Sequence, residues 1–403
     1  MYQVLITLAS PFHPKAKLWV EGRNDYFVEL QRKMYKNTSP IIWFHCASLG
    51  EFEQSRPLIE EIKKQYPSYN ILLTFFSPSG FEIRKNYDKA TYVFYLPLDT
   101  QFNARKFIRV VNPKLVFFAK YEFWHYYISE LYQKKIPVIS FSAIFRRDQI
   151  FFKPYGSLYR NLLSKFNKIF VQNEESINLL KEINITNTAL AGDTRFDRVK
   201  AINETKKSFP LIEKFKSSKK LLVVGSSWDK DIEVLLPIIN DAHKELKIII
   251  APHEIDEKKI SSMERRINKA TLRYSDIKEE TVSSYDVLII NNIGLLSSLY
   301  QYADFAFVGG AFEKGLHNIL EPATFGIPIF FGPNYEKFQE AKDLIHIGSA
   351  FSVKNSEELQ QTFELIYQSE ERRKAIAQAT QVFIDKNIGA TGKIINYCKQ
   401  FLN

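Results

Sequence analysis

A pair of glycines followed by a histidine and a glutamate is the clearest indication of ligand binding in this chain. The apolar run 305–308 leads into Gly309 and Gly310, and a polar cluster then opens an apolar segment, which predicts a strand, a loop and a helix start. Free backbone N–H groups and the helix dipole would converge there on an anion. Glu321 follows His317 by four residues, so both would share a helix face, and Glu321 would accept hydrogen bonds from sugar hydroxyls. This pattern favours a site for a sugar attached to a phosphate over an ordinary glycine-rich turn.

A second strand-to-helix turn carries Glu51, a candidate general base. The segment from His45 to Glu51 ends a predicted strand, passes through Gly50 and opens a helix. A carboxylate at the end of a strand is well placed to take a proton from a substrate. The alternative is an acid that only complements the helix dipole, and Glu53 fits that role better. His45 and Cys46 are adjacent on a strand and point to opposite faces, which argues against a cooperating pair.

Two further charged residues, Glu122 and Arg195, stand near predicted strand ends. Glu122 lies among aromatic residues, where an unpaired carboxylate is costly to bury, so it either meets a cation or lines a binding cleft. Arg195 is a candidate for that cation. For each of the two residues, the sequence is equally compatible with a structural ion pair and with a functional role.

An Asp-x-Asp pattern, Asp229 and Asp231, resembles the metal-binding pattern of many sugar-nucleotide enzymes. Here it opens a predicted helix, where paired acids complement the helix dipole, and we favour this structural interpretation. Ser226 and Ser227 are better candidates for contacts with a ligand. His253 follows a predicted strand and would either contact a nucleotide or lie in a turn.

Composition restricts the possible partners. The 403 residues suffice for two domains with separate cores, and the hydrophobic (45%) and charged (25%) contents are typical of a soluble globular protein. The net charge of +10 favours an anionic partner, either a phosphorylated substrate or an acidic membrane. Nucleic acid ranks last, because no long basic block and no nucleic-acid-binding signature occurs. Two cysteines without metal-ligand spacing fit a reducing cytoplasm.

The sequence predicts no membrane-spanning helix, since its apolar runs are far shorter than the ~20 residues required. The segment 1–12 is mostly apolar and is followed by His13, Lys15 and Lys17. It is equally consistent with a short interfacial anchor whose basic flank meets anionic lipid and with a first helix packed on the domain.

Short β-rich runs alternate with amphipathic segments in two series, which predicts parallel sheets with right-handed crossovers. The polar stretch 203–220 separates the series and is the linker candidate. We predict an α/β protein with two doubly wound Rossmann-like domains, 1–202 and 221–403, and ligands in an interdomain cleft. The predicted strands are 41–45, 71–75, 92–96, 115–119, 138–142 and 169–172 in the first series, and 221–225, 247–251, 287–291, 305–308 and 327–331 in the second.

In their order and spacing, these residues resemble the 3-deoxy-D-manno-octulosonic acid (Kdo) transferases of lipopolysaccharide synthesis. The resemblance runs from Pro14 to beyond Pro333, and although each motif alone is weak, their order together is specific. The motifs are His45-Cys-Ala-Ser-Leu-Gly-Glu51, Pro78-Ser-Gly80, Glu122-Phe-Trp124, Gln172-Asn-Glu174, Gly192-Asp-Thr-Arg-Phe-Asp197, and Gly309-Gly310 with His317-Asn318-Ile319-Leu320-Glu321.

The resemblance implies a GT-B type glycosyltransferase that needs no metal or other cofactor. Its members move Kdo from CMP-Kdo onto the lipid A precursor, lipid IVA, at the cytoplasmic face of the inner membrane. Glu51 matches the family's catalytic base, and Glu122 and Arg195 match residues that stabilise the transition state. The last helix is expected to pack back on the N-terminal domain. The positions that match CMP-binding segments are Pro252, His253, Ile293, Gly294, Leu295, Asn318, Ile319, Leu320 and Glu321.

Several positions depart from the family pattern. Arg195 stands where a lysine is frequent, which keeps the charge and changes its geometry. His253 stands where an arginine is frequent, so a phosphate contact would be weaker or sensitive to pH. Leu295 occupies a position where a polar side chain is usual, so its contact would be through the backbone. Family members often begin with a longer apolar anchor, and we expect peripheral or weak attachment to the membrane here.

The expected reaction is an inverting single displacement. Glu51 would accept the proton of the acceptor hydroxyl as that oxygen attacks the anomeric carbon, through an oxocarbenium-like transition state. The CMP anion would be stabilised by the segment 309–318 and nearby cations. An exposed docking face for the phosphorylated acceptor and anionic lipid is predicted from four residues, with a merely solvated surface as the alternative. These residues are Lys15, Lys17, Trp19 and Arg23.

Two other classes of protein remain open at this point. Another GT-B nucleotide-sugar enzyme, such as an epimerase or a different transferase, would share the fold and the glycine pair. A non-catalytic membrane-surface scaffold would keep its role after Glu51→Gln, whereas a transferase would lose turnover.

Overall fold

The computed structural model of the chain describes residues 2–204, 207–242 and 245–402. It divides into two compact units. Unit 1 comprises Met1–Arg198 with the C-terminal segment Asn387–Asn403, and unit 2 comprises Val199–Lys386. Each unit has a seven-stranded sheet in which the described strands pair in parallel. The predicted α/β class with two doubly wound domains is therefore confirmed.

Unit 1 is built on a sheet whose strand order reverses at its centre. Its strands are β1 (Ile41–Cys46), β2 (Asn70–Phe75), β3 (Tyr92–Tyr95), β4 (Leu115–Ala119), β5 (Val138–Ala143), β6 (Lys168–Val171) and β7 (Thr188–Leu190). Their order is β3-β2-β1-β4-β5-β6-β7, so the chain winds outward in one direction from β1 and in the other from β4. Ligands of open α/β sheets bind at the carboxyl ends of the strands at such a point.

Helices cover both faces of this sheet. They are α1 (Tyr2–Ala9), α2 (Pro14–Glu21), α3 (Tyr26–Met34), α4 (Leu49–Gln65), α5 (Pro78–Arg84), α6 (Gln101–Val111), α7 (His125–Gln133), α8 (Ser157–Leu163), α9 (Glu174–Glu182), α10 (Thr194–Glu204), which continues into unit 2, and α19 (Ala390–Leu402). Adjacent residues of β1 point to opposite cores, with Trp43 in one and Phe44 in the other. On the neighbouring β4, Phe117 stacks on Phe44 with ring centroids 4.5 Å apart. Because both faces are buried, these strands are apolar throughout.

Unit 2 repeats the design. Its strands are β8 (Lys220–Ser227), β9 (Leu246–Pro252), β10 (Thr271–Arg273), β11 (Val287–Ile289), β12 (Phe305–Val308), β13 (Ile329–Phe331) and β14 (Ala350–Ser352). The order β10-β11-β9-β8-β12-β13-β14 reverses between β8 and β12. Its helices are α11 (Pro210–Lys216), α12 (Asp229–Pro237), α13 (Glu257–Glu264), α14 (Leu296–Leu299), α15 (Leu320–Ala323), α16 (Gln339–His346), α17 (Ser356–Gln368) and α18 (Glu370–Asn387).

Three strands that the sequence did not predict, β7, β10 and β14, complete the sheets. Each has only three residues, and most of their side chains are partly exposed. All three lie at the edge of their sheet. Edge strands of this length carry no sustained apolar run, so periodicity cannot reveal them.

The stretch 203–220, predicted as a linker, contains a helix. α10 continues to Glu204, residues 205 and 206 lie outside the described part of the chain, and α11 follows with Pro210 in its first turn. Ile212 and Phe215 of α11 are fully buried. Charged residues outnumber the buried apolar ones in α11, so the sequence pattern did not reveal the two apolar side chains that pack this helix onto unit 2.

The C-terminal helix α19 completes a core of unit 1. It contacts α4 and contributes Ile394, Ile395, Cys398 and Leu402 to the core that contains Phe44.

We expect Ile394→Ala to destabilise the protein by about 2–5 kcal/mol, because a fully buried isoleucine would leave a cavity. Asn396→Ala on the exposed face of the same helix is the matched control and should change stability by less than about 0.5 kcal/mol. Urea unfolding followed by circular dichroism measures both. Equal effects would show that α19 does not pack as described.

Candidate active site

In unit 1, the candidate catalytic residues follow two strands that are neighbours in the sheet. β1 pairs with β4, with His45 opposite Phe118. Glu51 lies in the first turn of α4, directly after β1, and Glu122 lies between β4 and α7. Both segments leave the carboxyl ends of adjacent strands where the strand order reverses, so the fold brings them to one edge of the sheet.

The Glu51 carboxylate caps helix α4. Its Oε2 accepts a hydrogen bond from the backbone N–H of Ser48 at 2.9 Å and a second from the Ser48 hydroxyl. Within the described part of the chain, both bonds go to Oε2 and none goes to Oε1. The half-buried carboxylate is therefore fixed by one oxygen. Helix capping and a role as a general base are compatible at this residue.

Glu122 lies beside a histidine. Its Oε2 accepts a hydrogen bond from Trp124 Nε1 at 2.6 Å and lies 3.4 Å from His45 Nε2. The basic group beside Glu122 is thus His45, and the predicted pairing with Arg195 is wrong. Sequence reasoning missed His45 because it weighed this residue only against its neighbour Cys46. The available signal was that His45 lies next to the end of β1 and that Glu122 follows β4, since these strands are adjacent in a doubly wound sheet.

Arg195 is held by its own near neighbour, Asp193. The backbone N–H of Arg195 donates to Asp193 Oδ1 at 2.9 Å, and its Nε and a terminal nitrogen donate to Oδ2 at 3.0 and 2.8 Å. Gln54 Nε2 donates to both carboxylate oxygens at 3.1 and 3.0 Å. Burial raises the pKa of Asp193, but the charge and hydrogen bonds of Arg195 outweigh it and hold that pKa below its usual value. The guanidinium is oriented at the start of α10, and its charge is partly compensated.

The thiol of Cys46 is fully buried at the end of β1. Burial raises the pKa of this thiol, the hydrogen bond with Ser55 lowers it, and the negative charges of Glu51, Glu122 and Glu53 add to the rise. Its sulfur lies 3.0 Å from the hydroxyl of Ser55. A buried thiol with a raised pKa is inert, so Cys46 is not a nucleophile.

In unit 2, the glycine pair differs from the predicted anion cradle. The N–H of Gly309 donates to Gly225 O at 2.9 Å, and the N–H of Gly310 donates to Asp231 Oδ2 at 2.8 Å. Gly310 has a φ of +93°, and its carbonyl closes a tight turn that ends at Gly315. The predicted order of strand, loop and helix is present, with α15 beginning at residue 320, but the expectation of free N–H groups is wrong at both glycines, because each N–H is bonded within the protein.

His317 lies in the loop before α15, so it does not share a helix face with Glu321 as predicted. Trp228 Nε1 donates to His317 Nε2 at 3.1 Å, and the two rings are nearly coplanar, at 9°. His253 stacks on both, with ring centroids 4.5 Å from Trp228 and 4.4 Å from His317. Burial, with a contribution from His253, lowers the pKa of His317 to about 4. Glu321 instead accepts a hydrogen bond from Asn318 Nδ2 at 3.0 Å.

Asp231 ties the start of α12 to the glycine turn. Its Oδ2 accepts hydrogen bonds from the N–H groups of Trp228 and Gly310, both at 2.8 Å. The carboxyl is fully buried, and burial raises its pKa to about 6. This agrees with the structural interpretation of the Asp-x-Asp pattern. Among the described residues, no group of three or more His, Cys, Asp or Glu side chains is placed to hold a metal ion.

A pocket of about 190 Å³ adjoins the aromatic group of unit 2. The Nζ of Lys314 lies 3.6 Å from the ring centre of Trp228, and the Nζ of Lys259 lies 5.9 Å from it. The pocket is lined by Ser227, Trp228, Asp229, Ile232, Pro252, Glu254, Lys259, Ile260, Met263, Glu313 and Lys314. Lys259 is paired with Glu254, so the ammonium group of Lys314 over the Trp228 ring is the feature of this pocket that suits an anionic ligand with a flat ring.

The remaining residues predicted to bind the sugar donor differ in whether their side chains are available to a ligand. Ile319 and Leu320 are fully buried, so only their backbones are available to a ligand. Ile293 is 91% exposed, Gly294 has a φ of +97°, and Leu295 precedes α14, so these three form a surface turn.

The predicted docking face is only partly exposed. Lys15 and Lys17 are exposed, but Trp19 is 5% exposed, so the prediction of an exposed Trp19 is wrong. Arg23 lies 4.0 Å from the Trp19 ring and donates to the carbonyl groups of Trp19, Phe76 and Leu96 at 2.8–3.1 Å. These contacts give Arg23 a packing role. No described helix combines the length and apolarity needed to cross a membrane.

Two parallel α/β units of this topology belong to the GT-B fold class. The fold is similar to that of UDP-GlcNAc 2-epimerase from Neisseria meningitidis bound to UDP-GlcNAc, with a TM-score of 0.62 and 14% identity over 89% of this chain and 99% of that one. At this identity the similarity concerns the fold alone.

Sequence comparison is more specific. Residues 24–198 match the family model described as 3-deoxy-D-manno-octulosonic-acid transferase. The transferase of that name from Aquifex aeolicus is 30% identical over 81% of this chain and 86% of its own length. That from Chlamydophila psittaci is 29% identical over 77% and 74%. The chain belongs to the Kdo transferase family and is a glycosyltransferase.

The lowered pKa of His317 predicts a pH-dependent stability. Because the folded pKa of about 4 lies below the usual value of 6.5, His317 contributes stability that is present above about pH 6.5 and is lost as the pH falls through 4. His317→Gln should remove this loss, which amounts to up to about 3 kcal/mol at about 1.4 kcal/mol per pKa unit. Urea unfolding over this pH range measures it.

The matched control for this prediction is His346→Gln, at an exposed histidine in the same unit. The difference between wild type and His317→Gln should vary with pH, whereas the difference for His346→Gln should vary little. Parallel stability curves for wild type and His317→Gln would contradict the assignment.

Proposed function

We propose that the protein transfers Kdo from CMP-Kdo to a lipid A precursor, lipid IVA, in lipopolysaccharide synthesis. The observation that carries this proposal is the Glu51 carboxylate, fixed through Oε2 at the central strand end of unit 1 and open at Oε1. It occurs in a chain that belongs to the Kdo transferase family.

Glu51 is the general base of the proposed reaction. Its Oε1 takes the proton of an acceptor hydroxyl while that oxygen attacks the anomeric carbon of Kdo and the bond to CMP breaks. The capping bonds from Ser48 keep the carboxylate in place, so the protein need not reorganise as the proton moves. One displacement of this kind inverts the configuration of the anomeric carbon.

Glu122 and Arg195 stabilise the transition state in this proposal. The anomeric carbon gains positive charge as CMP departs, and the Glu122 carboxylate offers it a negative partner. Arg195, oriented by Asp193, presents a cation to the departing phosphate or to the carboxylate of Kdo.

Unit 2 binds the donor in this proposal. Lys314 beside the Trp228 ring supplies positive charge for the anionic groups of CMP-Kdo, and Lys259, which is paired with Glu254, lies at the same surface. Glu321, held by Asn318, accepts hydrogen bonds from ribose hydroxyls. The surface turn 293–295 and the backbone of Ile319 and Leu320 offer the remaining polar contacts. We propose that no metal takes part, because these cations replace it.

Attachment to the cytoplasmic face of the inner membrane is proposed from the exposed residues at the start of the chain. Four large apolar side chains there are exposed, from 39% to 88%: Leu5, Leu8, Phe12 and Leu18. The exposed ammonium groups of Lys15 and Lys17 lie in the same segment. Apolar side chains flanked by lysines bind reversibly to a surface of anionic lipid.

Glu51→Gln should lower the rate of Kdo transfer by about 10²–10⁴-fold, because the amide cannot accept the proton. CMP binding, measured by calorimetry, should persist because Glu51 lies in unit 1. The assay uses purified protein, CMP-Kdo generated in the reaction, tetra-acylated lipid IVA and a chelator, with mass spectrometry of the lipid. Glu53→Gln, two residues away and bonded to Arg84, is the control and should keep most of the activity.

Each part of the proposal has its own contradicting outcome in this assay. CMP binding without transfer by the wild type would mean that the acceptor is wrong. No binding of CMP would remove the donor assignment, and conversion of UDP-GlcNAc instead would favour an epimerase. Full activity of Glu51→Gln would exclude Glu51 as the base. Inhibition by the chelator would exclude the metal-free reaction.

The double variant Lys15→Glu/Lys17→Glu should weaken binding to vesicles rich in phosphatidylglycerol by about tenfold or more, since each lysine near an anionic surface contributes about 1 kcal/mol. Lys64→Glu/Lys114→Glu carries the same change of charge at exposed positions elsewhere on unit 1 and should bind like wild type. Cosedimentation measures both. Equal loss in the two variants would indicate an effect of net charge alone.

A further inference from the structure

Three large side chains are exposed in a short stretch of unit 1, just before and within α8. Tyr155 is 74% exposed, Leu158 59% and Tyr159 38%, and together they form the tyrosine patch. Single exposed apolar side chains are common, but a group of three so close in the chain marks a binding surface. Tyrosine suits a boundary between apolar and wet surroundings, because its ring is apolar and its hydroxyl is polar.

A rigid support holds the tyrosine patch in place. The Arg160 guanidinium donates to the carbonyl groups of Phe151 and Lys153 at 3.0 and 2.9 Å, which fixes the turn before α8. The Tyr159 ring meets the Phe151 ring edge-on, with centroids 6.1 Å apart, and Phe151 is buried. The exposure of the patch is therefore a property of the folded unit.

The segment that carries the patch is strongly basic. Residues 146–165 contain five Lys or Arg residues and one Asp or Glu residue. Of these, Arg147 is paired with Glu182, which still leaves an excess of positive charge. The Arg160 guanidinium donates to carbonyl groups, which carry no net charge, so it stays a cation at this surface. Basic side chains beside exposed apolar ones complement a surface of anionic lipid.

The patch lies at the edge of the sheet that carries the candidate carboxylates. The segment 144–154, which leads to it, leaves the carboxyl end of β5, as Glu122 follows β4 and Glu51 follows β1, and these strands pair in parallel. A direct contact supports this placement, because Phe151 meets the ring of Phe123 with centroids 5.2 Å apart. Phe123 is the residue after Glu122, so the patch is a few side chains from the candidate site.

The apolar N-terminal segment lies at the same edge of the sheet. Arg23 donates to the carbonyl groups of Phe76 and Leu96, the residues that directly follow β2 and β3. Thr7 of α1 and Leu98 line one cavity there. The order β3-β2-β1-β4-β5 therefore places this segment on one side of the candidate carboxylates and the tyrosine patch on the other. With neighbouring strands about 5 Å apart, β3 and β5 are separated by about 20 Å.

We propose that the tyrosine patch is a second contact with anionic lipid, which together with the N-terminal segment turns the carboxyl edge of the unit 1 sheet toward the bilayer. This inference rests on the proposed function, in which the acceptor is a lipid held in that membrane. Contacts on both sides of the site restrict the tilt of unit 1, whereas the N-terminal segment alone would leave the unit free to swing. The candidate carboxylates then face the surface from which the acceptor hydroxyl protrudes.

A fluorescent probe at single positions tests this contact directly. Both natural cysteines are buried, so a thiol-reactive probe can be attached at one introduced cysteine. Leu158→Cys and Phe12→Cys carry an environment-sensitive nitrobenzoxadiazole probe in the patch and in the N-terminal segment. On vesicles rich in phosphatidylglycerol, the emission of both probes should move to shorter wavelength, and lipids with brominated chains should quench it.

Tyr35→Cys is the matched control for the probe. Tyr35 is 89% exposed and lies shortly before the start of β1, near the opposite edge of the sheet, so its probe should keep the emission that it has in solution. A response at residue 12 without one at residue 158 would overturn the proposal. So would a change at residue 158 that appears without vesicles as the protein concentration rises, because the patch would then bind a second copy of the chain.

Substitution of the patch should weaken binding to the same vesicles. Tyr155→Ser/Leu158→Ser should lower the affinity by about tenfold, because two side chains would no longer be buried in lipid. Tyr35→Ser/Tyr132→Ser removes two exposed tyrosines that lie before β1 and before β5, near the amino ends of the strands, and should bind like wild type. Cosedimentation measures binding, and circular dichroism confirms the fold of each variant. Equal affinities of the two variants would contradict the proposal.

Transfer assays separate failure of this inference from failure of the proposed function. Tyr155→Ser/Leu158→Ser should transfer Kdo to lipid IVA dispersed in detergent at the wild-type rate, and to lipid IVA in vesicles about tenfold more slowly at low lipid concentration. Equal losses in detergent and in vesicles would overturn the inference, because the patch would then act on the site itself. If the wild type transfers no Kdo while the probe at residue 158 still responds to vesicles, the proposed function fails and the membrane contact remains.

Discussion

The parallel pairing of β1 with both β2 and β4 decides where chemistry can occur in unit 1. It places the segments that follow β1 and β4 at one edge of the sheet, where the strand order reverses. It also sets His45 beside Thr74 within the sheet. A shift of register by one residue would turn the His45 side chain to the opposite face, among the residues that pack with Phe44. The positions of Glu51 and Glu122 therefore depend on the packing of Trp43 and its neighbours as much as on the loops that carry them.

Much of this arrangement could be predicted from the sequence, because it depends on local patterns. The apolar runs that became β4 and β12 have the predicted bounds, and Glu51 follows its strand as expected. The edge strands escaped prediction because three partly exposed residues leave no pattern. The α11 helix escaped because charged residues outnumber its two buried apolar ones.

Contacts between residues distant in sequence explain the other differences. The Gly310 N–H is bound by Asp231, which precedes it by 79 residues, and Trp228 meets His317 across 89 residues. Spacing along the sequence assigned Asp231 and His317 each to a separate helix, and it gave no sign of these contacts. Arg23 was predicted at the surface because it is charged, yet carbonyl groups more than 50 residues away hold it in place. Such contacts follow from the sheet order, which a single sequence does not specify.

Unit 2 shows what a histidine at position 253 contributes to the surface beside the glycine turn. An arginine at the position of His253 would bring a permanent charge, whereas His253 brings a ring that stacks on Trp228 and His317. Positive charge near this surface comes from the side chain of Lys314, because Lys259 is paired with Glu254. The flexible stem of Lys314 lets the charge follow an anionic ligand, while the stacked rings form a rigid surface beneath it.

The anomeric configuration of the product tests the account most directly, because it depends on both the reaction and the role of Glu51. Proton NMR of the lipid formed from CMP-Kdo and lipid IVA reports the configuration of the new Kdo linkage relative to the donor. A single displacement with Glu51 as base predicts inversion. Retention would require an intermediate on the enzyme or a different order of steps, and it would contradict the proposed mechanism.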